Sequence, residues 1–81
     1  MTEQEIYQKI NDIFQQVFDD DEITVTPETV ADDIDEWDSL MHITLLVSIE
    51  KEFAFKWKSS EIEKLANVGE MVGIIMEKIE A

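Results

Sequence analysis

The feature that most constrains the fold is the regular spacing of apolar residues in the first quarter of the chain. These residues recur every three or four positions, which places their side chains on one face of an α-helix: Ile6, Ile10, Ile13, Phe14, Val17 and Phe18. Thr2 and Glu5 precede this stripe in the pattern of a capping box, in which each side chain accepts a backbone N–H of the other residue. The sequence therefore predicts an amphipathic first helix, which ends at the acidic run of residues 19–22.

A second helix is predicted from Ser39 to Phe53, because Asp38 is a favourable N-cap. Its apolar stripe consists of Leu40, Ile43, Leu46, Val47, Ile49 and Phe53. Met41, Leu45 and Val47 widen this stripe, so the helix has more apolar surface than one core-facing side needs.

Two further capping patterns predict the remaining helices. Ser60 with Glu63 indicates a short third helix that ends near Leu65. By analogy, Asn67 with Glu70 opens a fourth helix that runs to about residue 79. Residues 53–58, which join the second and third helices, alternate apolar and other residues and are expected to form a short extended connector with its aromatic rings turned inward.

The connection between the first two helices is long, from Ile23 to Trp37, and contains Pro27. Loops of this length are uncommon inside a compact domain and are usually functional. Its spaced apolar residues indicate an ordered loop, with Trp37 packed against the second helix. We expect an all-α fold: an antiparallel up-down bundle of three main helices plus one short helix, forming a single monomeric domain over residues 1–81.

The charge of the chain limits its possible partners. It has 20 acidic residues and 6 lysine or arginine residues, a formal net charge of −14, and no lysine or arginine between Lys9 and Lys51. Nucleic acid and anionic membranes would be repelled by such a surface, whereas a protein with a basic patch would be attracted. The chain begins without the basic and apolar regions of a signal peptide, and a cytoplasmic location is expected.

Ser39 lies in the segment Asp35-Glu36-Trp37-Asp38-Ser39-Leu40, between the long acidic loop and the most apolar helix. The run from about Ile23 to Phe53, which contains this segment and the helix that closes with Phe53, resembles the phosphopantetheine-binding carrier family, the acyl carrier proteins. The resemblance extends over nearly the whole chain. It implies a carrier that is not an enzyme, and a 4'-phosphopantetheine arm attached to Ser39 by a phosphopantetheinyl transferase that uses coenzyme A. The chain has no cysteine, so a thioester would need the thiol of such an arm.

The resemblance also implies a partner surface around the serine, for the transferase and for acyl-transferring or acyl-elongating enzymes with basic patches. The residues expected to form it are Asp35, Glu36, Asp38, Leu40, Met41, Val47 and Glu50. Typical fatty-acid carriers have acidic residues in the first turns of the second helix, where this chain has Met41 and Thr44. We therefore expect a specialised pathway rather than housekeeping fatty acid synthesis, with Met41 exposed to an apolar partner pocket.

The sequence also offers three alternatives to a carrier function. His42 could act as a base for Ser39 in a hydrolase, although no third orienting group is evident. The acidic run of residues 19–22 could begin a calcium loop, but Thr24 and Val30 occupy the positions that require glycine and glutamate, so no metal site is predicted. An unmodified acidic adaptor that binds basic proteins stays open as the alternative function.

Overall fold

The computed structural model describes residues 2–80, and over this range the chain is helical without strands. Its α-helices are α1 (Glu3–Val17), α2 (Ser39–Phe53), α3 (Ser59–Ile62) and α4 (Val68–Glu80), and the long loop contains a single 3₁₀ turn, Ala31–Asp33. The predicted all-α bundle of three main helices and one short helix is confirmed. Among the described residues, none of the helices is both long and apolar enough to span a membrane.

The core lies between α1, α2 and α4, and it is closed by Val25 from the loop. Its fully buried side chains are Ile6, Ile10, Phe14, Leu45, Ile49, Val68, Met71, Val72 and Ile75. The predicted capping box of α1 is present, since Glu5 N–H donates to Thr2 Oγ1 at 3.2 Å and Thr2 N–H to Glu5 Oε1 at 2.9 Å. The α1 stripe expected from the sequence is the face that packs into the core, since Ile6, Ile10 and Phe14 are fully buried.

The apolar side chains of α2 divide between a buried face and an exposed one. Leu45, Leu46, Ile49 and Phe53 are buried, whereas Leu40, Ile43 and Val47 are 71%, 60% and 42% exposed. The first group lies on the side of the helix that faces α1, and the second group is rotated away from it. We call Leu40, Ile43 and Val47 the apolar ridge.

The predicted start and end of α3 were also wrong. The helix begins at Ser59 and ends at Ile62, and the Ser60–Glu63 capping box does not form. Lys58 takes the N-cap position instead, and its N–H donates to Glu61 Oε1 at 2.8 Å. That hydrogen bond, helped by the Lys78 ammonium 3.1 Å from Glu61, lowers the pKa of the Glu61 carboxyl.

The long loop is tied to α1 by side-chain hydrogen bonds. Val25 N–H donates to Asn11 Oδ1 at 2.6 Å, and Gln15 Nε2 donates to the Ile23 carbonyl at 2.9 Å. These bonds satisfy loop backbone groups that would otherwise need water. The prediction of an ordered loop is confirmed.

The middle of the loop also caps α4. The N–H groups of Val68 and Gly69 donate to the carbonyls of Thr29 and Pro27 at 2.9 and 3.0 Å. Asn67 Oδ1 accepts the next N–H, that of Glu70, at 2.8 Å, as the sequence predicted. Because the first N–H groups of a helix have no partner within it, these loop carbonyls satisfy groups that α4 itself leaves unpaired.

Candidate functional site

Ser39 is the first residue of α2, and its position is set by the N-cap before it. Asp38 Oδ1 accepts the Met41 N–H at 2.9 Å, and the Asp38 carbonyl accepts the His42 N–H at 2.8 Å. These contacts match the N-cap predicted for Asp38. The Ser39 side chain is exposed, and its hydroxyl makes no hydrogen bond to other residues within the range 2–80. The hydroxyl is therefore accessible to an enzyme from solvent.

Trp37 anchors the end of the loop immediately before this cap. Its indole N–H donates to His42 Nδ1 at 3.0 Å, and the two rings stack with centroids 5.9 Å apart. The edge contact of Trp37 with Phe14 has a centroid distance of 5.2 Å, and Phe18 lies at 6.2 Å. The prediction that Trp37 packs the loop against α2 is confirmed, and the ring also contacts α1.

His42 is not placed to act as a base for Ser39. In neutral histidine one ring nitrogen carries the proton and the other accepts, and here Nδ1 accepts the Trp37 N–H. The proton is therefore on Nε2, and the one lone pair that could take a proton is occupied. Burial also lowers the pKa of His42, which makes the imidazole a weaker base. The hydrolase alternative has no geometric support.

An open concavity of about 540 Å³ lies beside Ser39. Its lining residues come from the 3₁₀ turn, the loop end and the first turn of α2: Ala31, Trp37, Asp38, Ser39, His42 and Ile43. Most of this surface is apolar, so it suits an uncharged, partly apolar chain better than an ion. A group attached to the Ser39 oxygen would have this surface next to it.

The residues predicted to form the partner surface fall into two groups. Asp35, Glu36 and Asp38 are exposed in front of the serine, and Leu40 and Val47 are exposed on the apolar ridge. Ile43 belongs to this ridge as well, although the sequence analysis did not include it in the partner surface. The excess of apolar residues on α2 was the signal that could have revealed it.

Met41 and Glu50 are less available than predicted. Met41 is half-buried and packs against the core, because its position turns it away from the ridge. The Glu50 carboxylate accepts the Trp57 N–H at 2.9 Å and so holds the connector between α2 and α3. Trp57 also donates its indole N–H to the Leu46 carbonyl at 3.2 Å, which confirms that this ring is turned inward.

No cluster of histidine and acidic side chains within residues 2–80 is arranged to hold a metal ion. The acidic turn after α1 is held by backbone hydrogen bonds, such as that from Asp20 N–H to the Gln15 carbonyl at 3.0 Å.

Comparison with known proteins gives a consistent result. The chain is 40% identical over 76 residues to the acyl carrier protein of a Picosynechococcus species, covering 93% of each chain. It is 34% identical over 77 residues to the acyl carrier protein of Thermotoga maritima, covering 94% of each. The solution structure of the holo acyl carrier protein from Geobacter metallireducens superimposes with a TM-score of 0.87 at 44% identity, over 91% of this chain and 85% of that one. No protein-family model matches the chain.

Proposed function

Because the chain belongs to the acyl carrier protein family, whose members are carriers and not enzymes, we propose that it carries acyl groups as thioesters on a 4'-phosphopantetheine arm attached to Ser39. The observation that carries this proposal is the exposed Ser39 hydroxyl, placed directly after the Asp38 cap at the first residue of α2. The relative from Geobacter metallireducens is a holo protein, and the proposal extends that state to this chain.

The surroundings of Ser39 are suited to such an arm. The N–H groups of Ser39 and Leu40 belong to the first turn of α2 and have no carbonyl partner within the helix, so they favour a phosphodiester nearby. The apolar concavity of about 540 Å³ beside the serine gives the uncharged part of the arm a surface to contact.

Attachment is a phosphoryl transfer that a partner enzyme must catalyse. The Ser39 oxygen bonds to the phosphorus that bears pantetheine in coenzyme A, and the bond from that phosphorus to the adenosine bisphosphate breaks. The serine proton passes to a base of the transferase. The arm then supplies the thiol that this cysteine-free chain lacks, and that thiol forms the thioester with the acyl group.

Counting thiols tests the carrier function directly. The untreated chain has no cysteine and must give no thiol signal. After incubation with a promiscuous phosphopantetheinyl transferase and coenzyme A, followed by removal of small molecules, we expect one thiol per chain. That thiol must disappear when an acyl group is loaded. A chain that stays without thiol under conditions that modify another carrier would favour the unmodified adaptor.

The surface around Ser39 suits partners with two features. Asp35, Glu36 and Asp38 can meet arginine or lysine of the transferase and of acyl-handling enzymes, and the apolar ridge can meet an apolar patch beside these basic residues. The ridge is a contiguous row of exposed apolar side chains at intervals of three and four residues, so one flat partner surface can cover all of it.

We also propose that the partners belong to a specialised pathway. Thr44 is exposed between the ridge residues, at a position where typical fatty-acid carriers are acidic. An enzyme that expects a carboxylate there loses a solvent-exposed ion pair, worth up to about 1 kcal/mol. Met41 is half-buried. Thr44 and the apolar ridge, and not an exposed methionine, therefore distinguish this surface from that of typical fatty-acid carriers.

Replacing Thr44 with glutamate should therefore improve loading by a fatty-acid-type enzyme. With the holo protein and a malonyl transacylase of that type, we expect Thr44→Glu to raise kcat/KM by up to about fivefold, the equivalent of one rim ion pair. Gln8→Glu adds the same charge on the exposed surface of α1 and should leave kcat/KM unchanged. The specialised pathway would be contradicted if wild type and Thr44→Glu had the same kcat/KM and that value matched the kcat/KM of a fatty-acid carrier.

A further inference from the structure

We propose that the hydrogen bond from the Trp37 indole to His42 is a clasp that positions Ser39 for its transferase, and that protonation of His42 opens this clasp. The inference rests on the proposed modification of Ser39. It gives His42 a positioning role, because the imidazole acts through the loop end and not on the reacting atoms.

The clasp joins the segments on either side of the serine. Trp37 belongs to the loop, His42 to the first turns of α2, and Ser39 lies between them, two residues after Trp37. The N–H···N contact is 3.0 Å long and the rings stack at an interplanar angle of 25°. Since Trp37 also packs edge-on against Phe14 in the core, the clasp fixes the loop end to α1 and α2 together. Ser39 is thus presented from a backbone that is held on both sides.

The clasp requires the neutral form of His42. Trp37 has only a donor in its side chain, and a protonated imidazole has only donors, so the two N–H groups would then face each other. A stacked imidazolium is attracted to the indole ring by a cation–π interaction, which opposes this effect. The hydrogen bond to Nδ1 favours the neutral ring, and burial lowers the pKa of His42 in the same direction.

The charged groups around His42 are carboxylates of the loop and of the α2 cap. In the concavity that His42 lines, Asp38 is the charged residue, and its carboxylate accepts the Met41 N–H. From the loop, Asp35 and Glu36 are exposed to solvent. The 3₁₀ turn adds Ala31 to the lining of the concavity, and its Asp32 and Asp33 are exposed to solvent. From α1, aromatic rings lie behind Trp37.

The direction of the pH effect follows from these contacts. The unfolded chain has a histidine with the ordinary pKa of 6.5, and the folded chain has a lower pKa. The unfolded state therefore binds the proton more readily, and the contribution of His42 to stability is fully present above pH 6.5 and is lost as the pH falls below it. The clasp is closed at neutral pH and opens as the pH falls through the lowered pKa of His42.

Nuclear magnetic resonance of the two indole N–H groups tests the clasp in the wild-type protein. We expect the Trp37 indole signal to shift below pH 6.5 with the same midpoint as the His42 ring, while the Trp57 indole, bonded to the Leu46 carbonyl, stays unchanged. Trp37→Phe and Trp57→Phe assign the two signals. A Trp37 signal that does not follow the His42 titration would overturn the clasp.

A competition assay tests whether the clasp matters for Ser39. Wild type and His42→Asn are mixed with transferase and coenzyme A, and the two products are separated by mass. Asparagine offers an acceptor oxygen near the place of Nδ1 but does not titrate. The pH dependence of the enzyme cancels in the ratio of the two rates. We expect that ratio, wild type to His42→Asn, to fall by about three- to tenfold between pH 8 and pH 5.5, the usual range for one hydrogen bond.

The outcomes separate this inference from the proposed function. If neither protein is modified at any pH, the proposed function is wrong. If both are modified and their ratio is constant with pH, the carrier function stands and the clasp is wrong. His42→Phe keeps a ring without an acceptor, and it should be modified more slowly than His42→Asn at pH 8; equal rates there would also overturn the inference.

Discussion

Gly69→Ala should lower the melting temperature of this protein, and Gly73→Ala in the same helix should raise it. The two substitutions are chemically identical, and both lie in α4. Helix propensity favours alanine at either site by about 0.5–1 kcal/mol. The difference between the two variants therefore isolates the contact between α4 and the long loop.

The expected loss at Gly69 comes from the backbone of the loop. A Cβ atom at Gly69 would lie 2.9 Å from the Pro27 carbonyl oxygen and 3.2 Å from the Pro27 Cβ. The same carbonyl accepts the Gly69 N–H at 3.0 Å, so the loop cannot retreat without breaking that hydrogen bond. Overpacking of this kind typically costs about 1–3 kcal/mol, which exceeds the gain in helix propensity.

At Gly73 a Cβ atom would meet no other atom within 4 Å, so only the gain in propensity applies. For a domain of this size 1 kcal/mol corresponds to about 4–8 °C. We expect Gly69→Ala to melt up to roughly 20 °C below wild type and Gly73→Ala roughly 2–8 °C above it, by circular dichroism at one pH and ionic strength. A Gly69→Ala variant as stable as Gly73→Ala would contradict the described packing of the loop on α4.

The helix starts that depend on nearby residues could be predicted from the sequence. The Thr2–Glu5 box, the Asp38 cap and the Asn67 cap are contacts between residues three positions apart, and each is present. The predicted start of α3 was wrong, although it also depends on residues three positions apart. Lys58 and Glu61 have this spacing too, but lysine is not among the residues that usually cap a helix N-terminus, so the pattern indicated Ser60 instead.

The face that α2 turns to the core could not be settled from its own sequence. Apolar residues occupy almost every side of this helix, so its periodicity does not distinguish the core from an exposed ridge. Only packing against α1 selects Leu45, Leu46 and Ile49 over Leu40 and Ile43. Partner surfaces of this kind are hidden in a sequence because their residues are the same types as those of the core.

Contacts between distant parts of the chain were missed for a physical reason. The bonds from the loop carbonyls to α4 join backbone groups, which carry no residue-specific signal. The Trp37–His42 hydrogen bond joins two side chains five residues apart, and the sequence indicated only that Trp37 packs near α2. Ser39 itself was located through family resemblance, and its role remains a prediction.

Replacing Ser39 with alanine is expected to abolish attachment of the arm completely. The hydroxyl oxygen is the atom that would form the new bond to phosphorus, and alanine has no substitute for it. The fold should be unaffected, because the side chain is exposed and alanine is favourable in a helix. Circular dichroism of the variant should therefore match wild type.

Ser59 provides a matched control within the same chain. It is also an exposed serine at the first position of a helix, α3, and it follows Lys58 instead of an aspartate cap. If exposure at a helix start were sufficient, both serines would be modified. We expect Ser59→Ala to be modified as fast as wild type.

The most direct measurement is the intact mass of wild type, Ser39→Ala and Ser59→Ala after incubation with a phosphopantetheinyl transferase and coenzyme A. The account predicts a gain of one phosphopantetheine in wild type and in Ser59→Ala, and no gain in Ser39→Ala. Modification of Ser39→Ala, or an unchanged wild-type mass when another carrier is modified in the same tube, would contradict it.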